Sequence, residues 1–267
     1  MNHLLLPVHL KIARAHKQLD NLAQTVNTWL NANPLRYHIE YLPNRHGYRL
    51  ILDVFDAPPP LDELKLDFGE LVHNLRSALD NLAFALARLK ADPPLKPVSI
   101  YFPIFDKPDS IRDAEKKLFP HFPPEVIVLL KGLQPFQRDI HGEPMGSEAD
   151  PLLLLHRISN ADKHRVPSPT IFAPHETRFI HAAQFENPED ADLNVPPDST
   201  LWQKALAPGV PLFEYRTKHP VKAVMLNYEM RPTMSLVLDG KNHTFLDLAS
   251  AMTIYVGNVV EVFKKFF

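Results

Sequence analysis

Cysteine is absent from the 267-residue chain, which excludes disulfides, zinc knuckles and a cysteine nucleophile. That absence fits a reducing cytoplasm. Glycine is scarce, at 8 residues, and no glycine-rich phosphate cradle occurs. The chain also lacks a GxSxG elbow and any HExxH or HxxxH pair, so it offers neither a serine-hydrolase nor a zincin signature. Net charge is small, −2, and supplies no global pull toward nucleic acid or anionic lipid; such binding would require a local basic patch. The N-terminal "MNHLLLPVHLKIARAHKQ" has no basic residue ahead of its short apolar run, unlike a signal peptide. The longest apolar stretch, "TFLDLASAMTIYVGNVVEVFKKFF", is interrupted by Asp247, Asn258 and Glu261. Its apolar residues recur at helical spacing, so the expectation is a core helix of a soluble protein with no membrane partner.

What is abundant is proline, 27 residues, placed mostly between elements. Hydrophobic periodicity predicts a first helix from about Val8 to Leu30, with His16 on its apolar stripe, stopped by Asn33-Pro34. "RYHIEYL" and "YRLILDVF" flank "PNRHG" as a hairpin. A second long helix is expected from Phe68 to Lys90, with Asp67 and Glu70 as an N-terminal cap pair. Short helices follow Ser110 and span "PEVIVLLKG", and Asp150-Pro151 sets a cap and first-turn proline for a helix that Pro167 closes. Beyond it the period falls to two in "TIFA", "RFIHAAQF", "PLFEYRT", "VKAVMLNYEM" and "TMSLVL". Asn187–Ser199 reads as a mobile loop and "DGK" as a tight turn before the C-terminal helix. The fold class is α+β, a helical bundle of long N-terminal, central and C-terminal helices combined with an antiparallel sheet. One compact unit is expected over 1–267. It divides into a mainly helical part, 1–166, with a hairpin near 36–55, a β-rich part, 167–241, and a helix, 242–267, returning to the bundle.

Two polar helix faces stand out. His73, Arg76 and Asp80 fall at i, i+3 and i+7, one ridge of the second helix. In "DPLLLLHRISNADKHR", four leucines give way to Arg157, Asn160, Asp162, Lys163, His164 and Arg165. Arg157 and His164 are separated by about two turns, an offset of only about 20°, with Asn160 between them on that face. Metal-independent RNA cleavage uses a near-neutral histidine to move protons and an arginine to hold the charged phosphorus centre. His164 and Arg157 supply that pair, Asn160 positions the 2′-hydroxyl, and His73, Arg76, Asp80, Asp162 and Lys163 form a supporting network. A metal site built on His73, Asp80 and His164 is the weaker arrangement, so neither a metal nor a cofactor is expected. The architectural alternative pairs Arg76 with Asp162, or Asp80 with Arg157 or Lys163, as contacts that fix helix register.

"HNLRSALDNL" (His73 to Leu82), "FPIF" (Phe102 to Phe105), "LQPFQ" (Leu133 to Gln137) and "NADKHR" (Asn160 to Arg165) resemble, in that order, a family of bacterial proteins that carries no established activity. The resemblance covers roughly Ile12 to Pro167 and implies a bacterial, cytoplasmic protein. "RISNADKH", Arg157 to His164, also resembles the Arg-x4–6-His motif of HEPN domains (higher eukaryotes and prokaryotes nucleotide-binding), with Ile158 where those ribonucleases carry Asn, Asp or His. That second resemblance implies a helical RNA-directed protein, a metal-independent endoribonuclease completed by homodimerisation. The competing expectation is a non-catalytic binding or scaffold protein whose polar helix residues are structural.

Overall fold

The computed structural model describes residues 3–142, 146–162, 170–172, 177–193, 198–238 and 240–267. Helices are α1 (Leu6–Ala32), α2 (Leu61–Arg88), α3 (Ile111–Lys117), α4 (Pro124–Gly132), α5 (Phe136–Ile140), α6 (Pro151–Asp162) and α7 (Phe245–Phe263). Strands are β1 (Tyr37–Tyr41), β2 (Gly47–Leu52), β3 (Thr170–Phe172), β4 (Thr177–Phe185), β5 (Asp198–Leu201), β6 (Pro211–Arg216), β7 (Val221–Met230), β8 (Thr233–Leu238) and β9 (Lys241–Thr244). The fold is α+β with antiparallel sheets. The chain divides into two compact units assembled from discontinuous segments: Met1–Gln24, Asp62–Ser168 and Leu246–Phe267 make one, Thr25–Leu61 and Pro169–Phe245 the other.

The helical unit is organised by α2, whose apolar stripe Leu71, Val72, Leu75, Ala78, Leu79, Leu82 and Leu86 is buried. α2 begins at Leu61, well before Asp67, so the Asp67–Glu70 cap pair does not exist; Asp62 and Glu63 occupy the first turn, where the helix dipole favours them. Glu70 is spent elsewhere. Gln18 of α1, 4% exposed, donates to Glu70 Oε2 at 2.7 Å and accepts from Asn74 Nδ2 at 2.9 Å, and Lys11 Nζ donates to Asn74 Oδ1 at 3.0 Å. This polar run places Gln18 in the interior and leaves His16, expected on the apolar stripe, exposed. α7 buries Phe245, Leu248, Met252, Val256, Val259 and Phe263, at the helical spacing anticipated. By length and composition alone Phe245–Phe266 is also apolar enough to cross a membrane, the one such helix among the described residues.

In the β-rich unit the sheets run β1-β2-β6-β5, β3-β8-β9 and β4-β7. The β1–β2 turn places Asn44 and Arg45 at positive φ, and Gly47 at φ 127°, where an added Cβ would lie 2.1 Å from the Tyr215 carbonyl oxygen. Glycine is therefore obligatory there. β5 takes the last two residues of the expected loop Asn187–Ser199, and β9 lies between the turn at Gly240 and α7. His181 sits half-buried on β4, where its Nδ1 lies 2.6 Å from the Tyr48 hydroxyl. Burial lowers the His181 pKa and raises that of Tyr48. Lys163, His164 and Pro167 lie outside the described residues, as does the side chain of Asp162, the last residue of α6.

Candidate functional site

Helix α2 sends Arg76 and Asp80, one turn apart, toward the segment Tyr101–Phe105. Arg76 Nη2 lies 3.0 Å from Asp80 Oδ1. The same Asp80 oxygen accepts from the Phe102 amide at 2.9 Å, and the same Arg76 nitrogen donates to the Phe102 carbonyl at 2.9 Å. The two side chains thus grip both backbone groups of one residue, standing in for a neighbouring strand. The segment needs them, because buried backbone groups outside regular structure must find partners. Its other end is held by Gln134, 1% exposed, whose Oε1 accepts from the Phe105 amide at 2.9 Å. Gln134 Nε2 donates to the carbonyls of Pro103 at 3.2 Å and Leu130 at 2.6 Å. Phe102 is fully buried and meets Phe263 edge-on. Three motifs far apart in the chain, "RSALD", "FPIF" and "LQPFQ", are therefore one hydrogen-bonded structure.

Helix α6 starts as expected. Asp150, 1% exposed, accepts from the Leu152 amide at 2.8 Å, and its other oxygen takes Arg138 Nε at 2.5 Å. Leu152–Leu155 and Ile158 are buried, whereas His156 and Arg157 are partly exposed and Asn160 is exposed. The helix thus passes from core toward solvent along its length, which accounts for its mixed composition. Arg157 makes a two-pronged pair with Glu148, at 2.6 and 2.7 Å. The expected pairing of Asp80 with Arg157 is overturned, because each has a partner nearer in sequence: Arg76 for Asp80, Glu148 for Arg157.

Between α2, α6 and the 101–110 segment lies a cavity of about 390 Å³, lined by Arg76, Tyr101, Asp106, Ser110, His156 and Arg157 among others. Arg76 of α2 and His156 and Arg157 of α6 line it together. The histidine they bring is His156, which the sequence analysis does not single out. Burial lowers its pKa; Arg76 and Arg157 push the same way, while Asp106 and Asp80 oppose. Asn160 Nδ2 lies 2.9 Å from His156 Nε2, one helical turn away. Arg76 Nη1 is the sole buried side-chain nitrogen or oxygen without a hydrogen-bond partner among the described residues.

Of the expected residues, Arg76 and Arg157 line the cavity, Asp80 acts on His156, and Asn160 orients it. His73 is exposed and among the described residues meets only the Ser77 hydroxyl, at 3.4 Å. Sequence reasoning missed His156 and Gln134. The available signals were that His156 is the first polar residue after the leucines, four before Asn160, and that Gln134 lies inside a quoted motif. Among the described residues no group of three His, Cys, Asp or Glu is placed to hold a metal. The chain matches no protein-family model, no curated protein and no solved structure.

Proposed function

We propose that the protein is a non-catalytic binding protein in which the polar groups of α2 and α6 are framework. One observation carries this reading: Arg76, through Nη2, and Asp80 together grip the amide and carbonyl of Phe102, so those groups are directed at the fold. Arg157, the other cation of the cavity, is held by Glu148 and is not presented to a phosphate. The test is to incubate the full chain with RNA in EDTA. An unchanged RNA pool supports the absence of turnover, and cleavage that disappears in Arg157→Ala with the fold retained overturns the reading.

A second reading is favoured by a separate observation. His156, its pKa lowered by burial, shares a cavity with two arginines. In that reading the protein is a HEPN-like, metal-independent endoribonuclease of the bacterial cytoplasm, acting as a homodimer. His156 then joins or replaces His164 in taking the 2′-hydroxyl proton. EDTA-resistant cleavage, lost in His156→Gln, would establish it.

A further inference from the structure

The connection from α2 to α3 presents a different surface. Within "DPPLKPVS", Pro94 is buried and anchors the turn, while Leu95 and Val98 are 88% and 99% exposed. Single exposed aliphatic residues are ordinary, but these two stand beside a cavity of about 620 Å³ whose lining includes Lys96, Lys116, Lys117 and His121 and no carboxylate. The acids nearby are occupied: Asp92 by Arg88 at 2.8 Å, Glu115 by Lys131 at 2.5 Å and Asp109 by Arg112 at 3.0 Å. Asp113 reaches only Lys117, at 3.8 Å. Among the described residues Lys96 and Lys116 have neither an ion pair nor a hydrogen bond from their side chains. On a chain of net charge −2, this is the local basic patch that attraction to an anionic partner requires.

We propose that this face docks on an anionic phospholipid surface, Leu95 and Val98 entering the boundary of headgroups and acyl chains while Lys96, Lys116 and Lys117 meet the phosphates. This goes beyond the binding reading above and uses other residues. The combination of aliphatic side chains with lysines selects the partner. A nucleic-acid backbone would answer the lysines but has no apolar layer for Val98, which projects with almost no neighbours. A protein partner would need a matching hole, whereas a fluid bilayer closes around whatever projects into it. Anionic lipid at the inner leaflet supplies the complementary charge.

The experiment is co-sedimentation of the full chain with vesicles of phosphatidylcholine alone or mixed with phosphatidylserine, at low and high salt. Sedimentation with the mixed vesicles only, weakening as salt rises, is the expected result. Lys96→Glu with Lys116→Glu, and separately Leu95→Asp with Val98→Asp, should each weaken it about tenfold or more, at unchanged melting temperature. No sedimentation with mixed vesicles, equal sedimentation with phosphatidylcholine alone, or indifference to both pairs of substitutions overturns the proposal. RNA retention abolished by Lys96→Glu with Lys116→Glu but untouched by Leu95→Asp with Val98→Asp, without vesicle binding, assigns the patch to nucleic acid instead and equally overturns it.

Discussion

In the cavity beside His156, Arg76 is answered by Asp80 and the Phe102 carbonyl and Arg157 by Glu148. In the cavity beside Val98, Lys96 and Lys116 have no such answer among the described residues and Leu95 and Val98 face solvent. Both belong to the helical unit. The difference lies in what each charge does. A cation paired within the chain fixes local structure, and its removal is felt as lost stability. A cation left unpaired on the surface contributes little to folding and remains available to a partner.

The contrast can be broken first at Gln134. Gln134→Ala strands the Phe105 amide and the Pro103 carbonyl in the interior, and a loss of about 3 kcal/mol in denaturant unfolding is expected. Asp80→Ala should cost less, about 2 kcal/mol, because its side chain is 38% exposed; Asp80→Asn, which keeps an acceptor for the Phe102 amide, should recover part of this. Values near zero for both would show that the motifs do not hold the FPIF segment. A smaller effect is expected from pH. The folded His156 pKa is lowered, so the folded and unfolded chains are equally unprotonated there above the ordinary histidine value. As pH falls below that value the unfolded state binds the proton first and stability declines, levelling off below the folded pKa. His156→Gln should flatten part of that decline; His181, shifted the same way, accounts for a share of its own and His181→Gln isolates it. Smallest of all, Lys96→Glu and Lys116→Glu should leave the unfolding midpoint within about 0.5 kcal/mol of the parent value. A larger drop would mean that those lysines, too, are structural.

Legibility in the sequence followed periodicity. The stripes of α2 and α7 were readable because burial repeats along them, and β7 and β8 because each is a run rich in strand-forming residues bounded by proline or glycine. β5 and β9 were not: all four residues of β5 are exposed, and β9, "KNHT", buries none. The start of α2 was placed too late because Asp67 resembles a cap, although Leu64 and Phe68, spaced one turn apart and both buried, already continue the stripe backward. At the site, the ridge of Arg76 and Asp80 was visible as a pattern, but its partner was not, since Phe102 is engaged through its backbone and any residue type could occupy that role.

Side-chain chemistry and its spacing, both written in the chain, determined that this is an α+β protein with amphipathic helices, an Asp150 cap and two polar helix faces. Which charges are consumed internally and which are left outward was decided only in three dimensions. Hydrogen bonding and ion pairing act over a few ångströms between groups that the chain order keeps far apart.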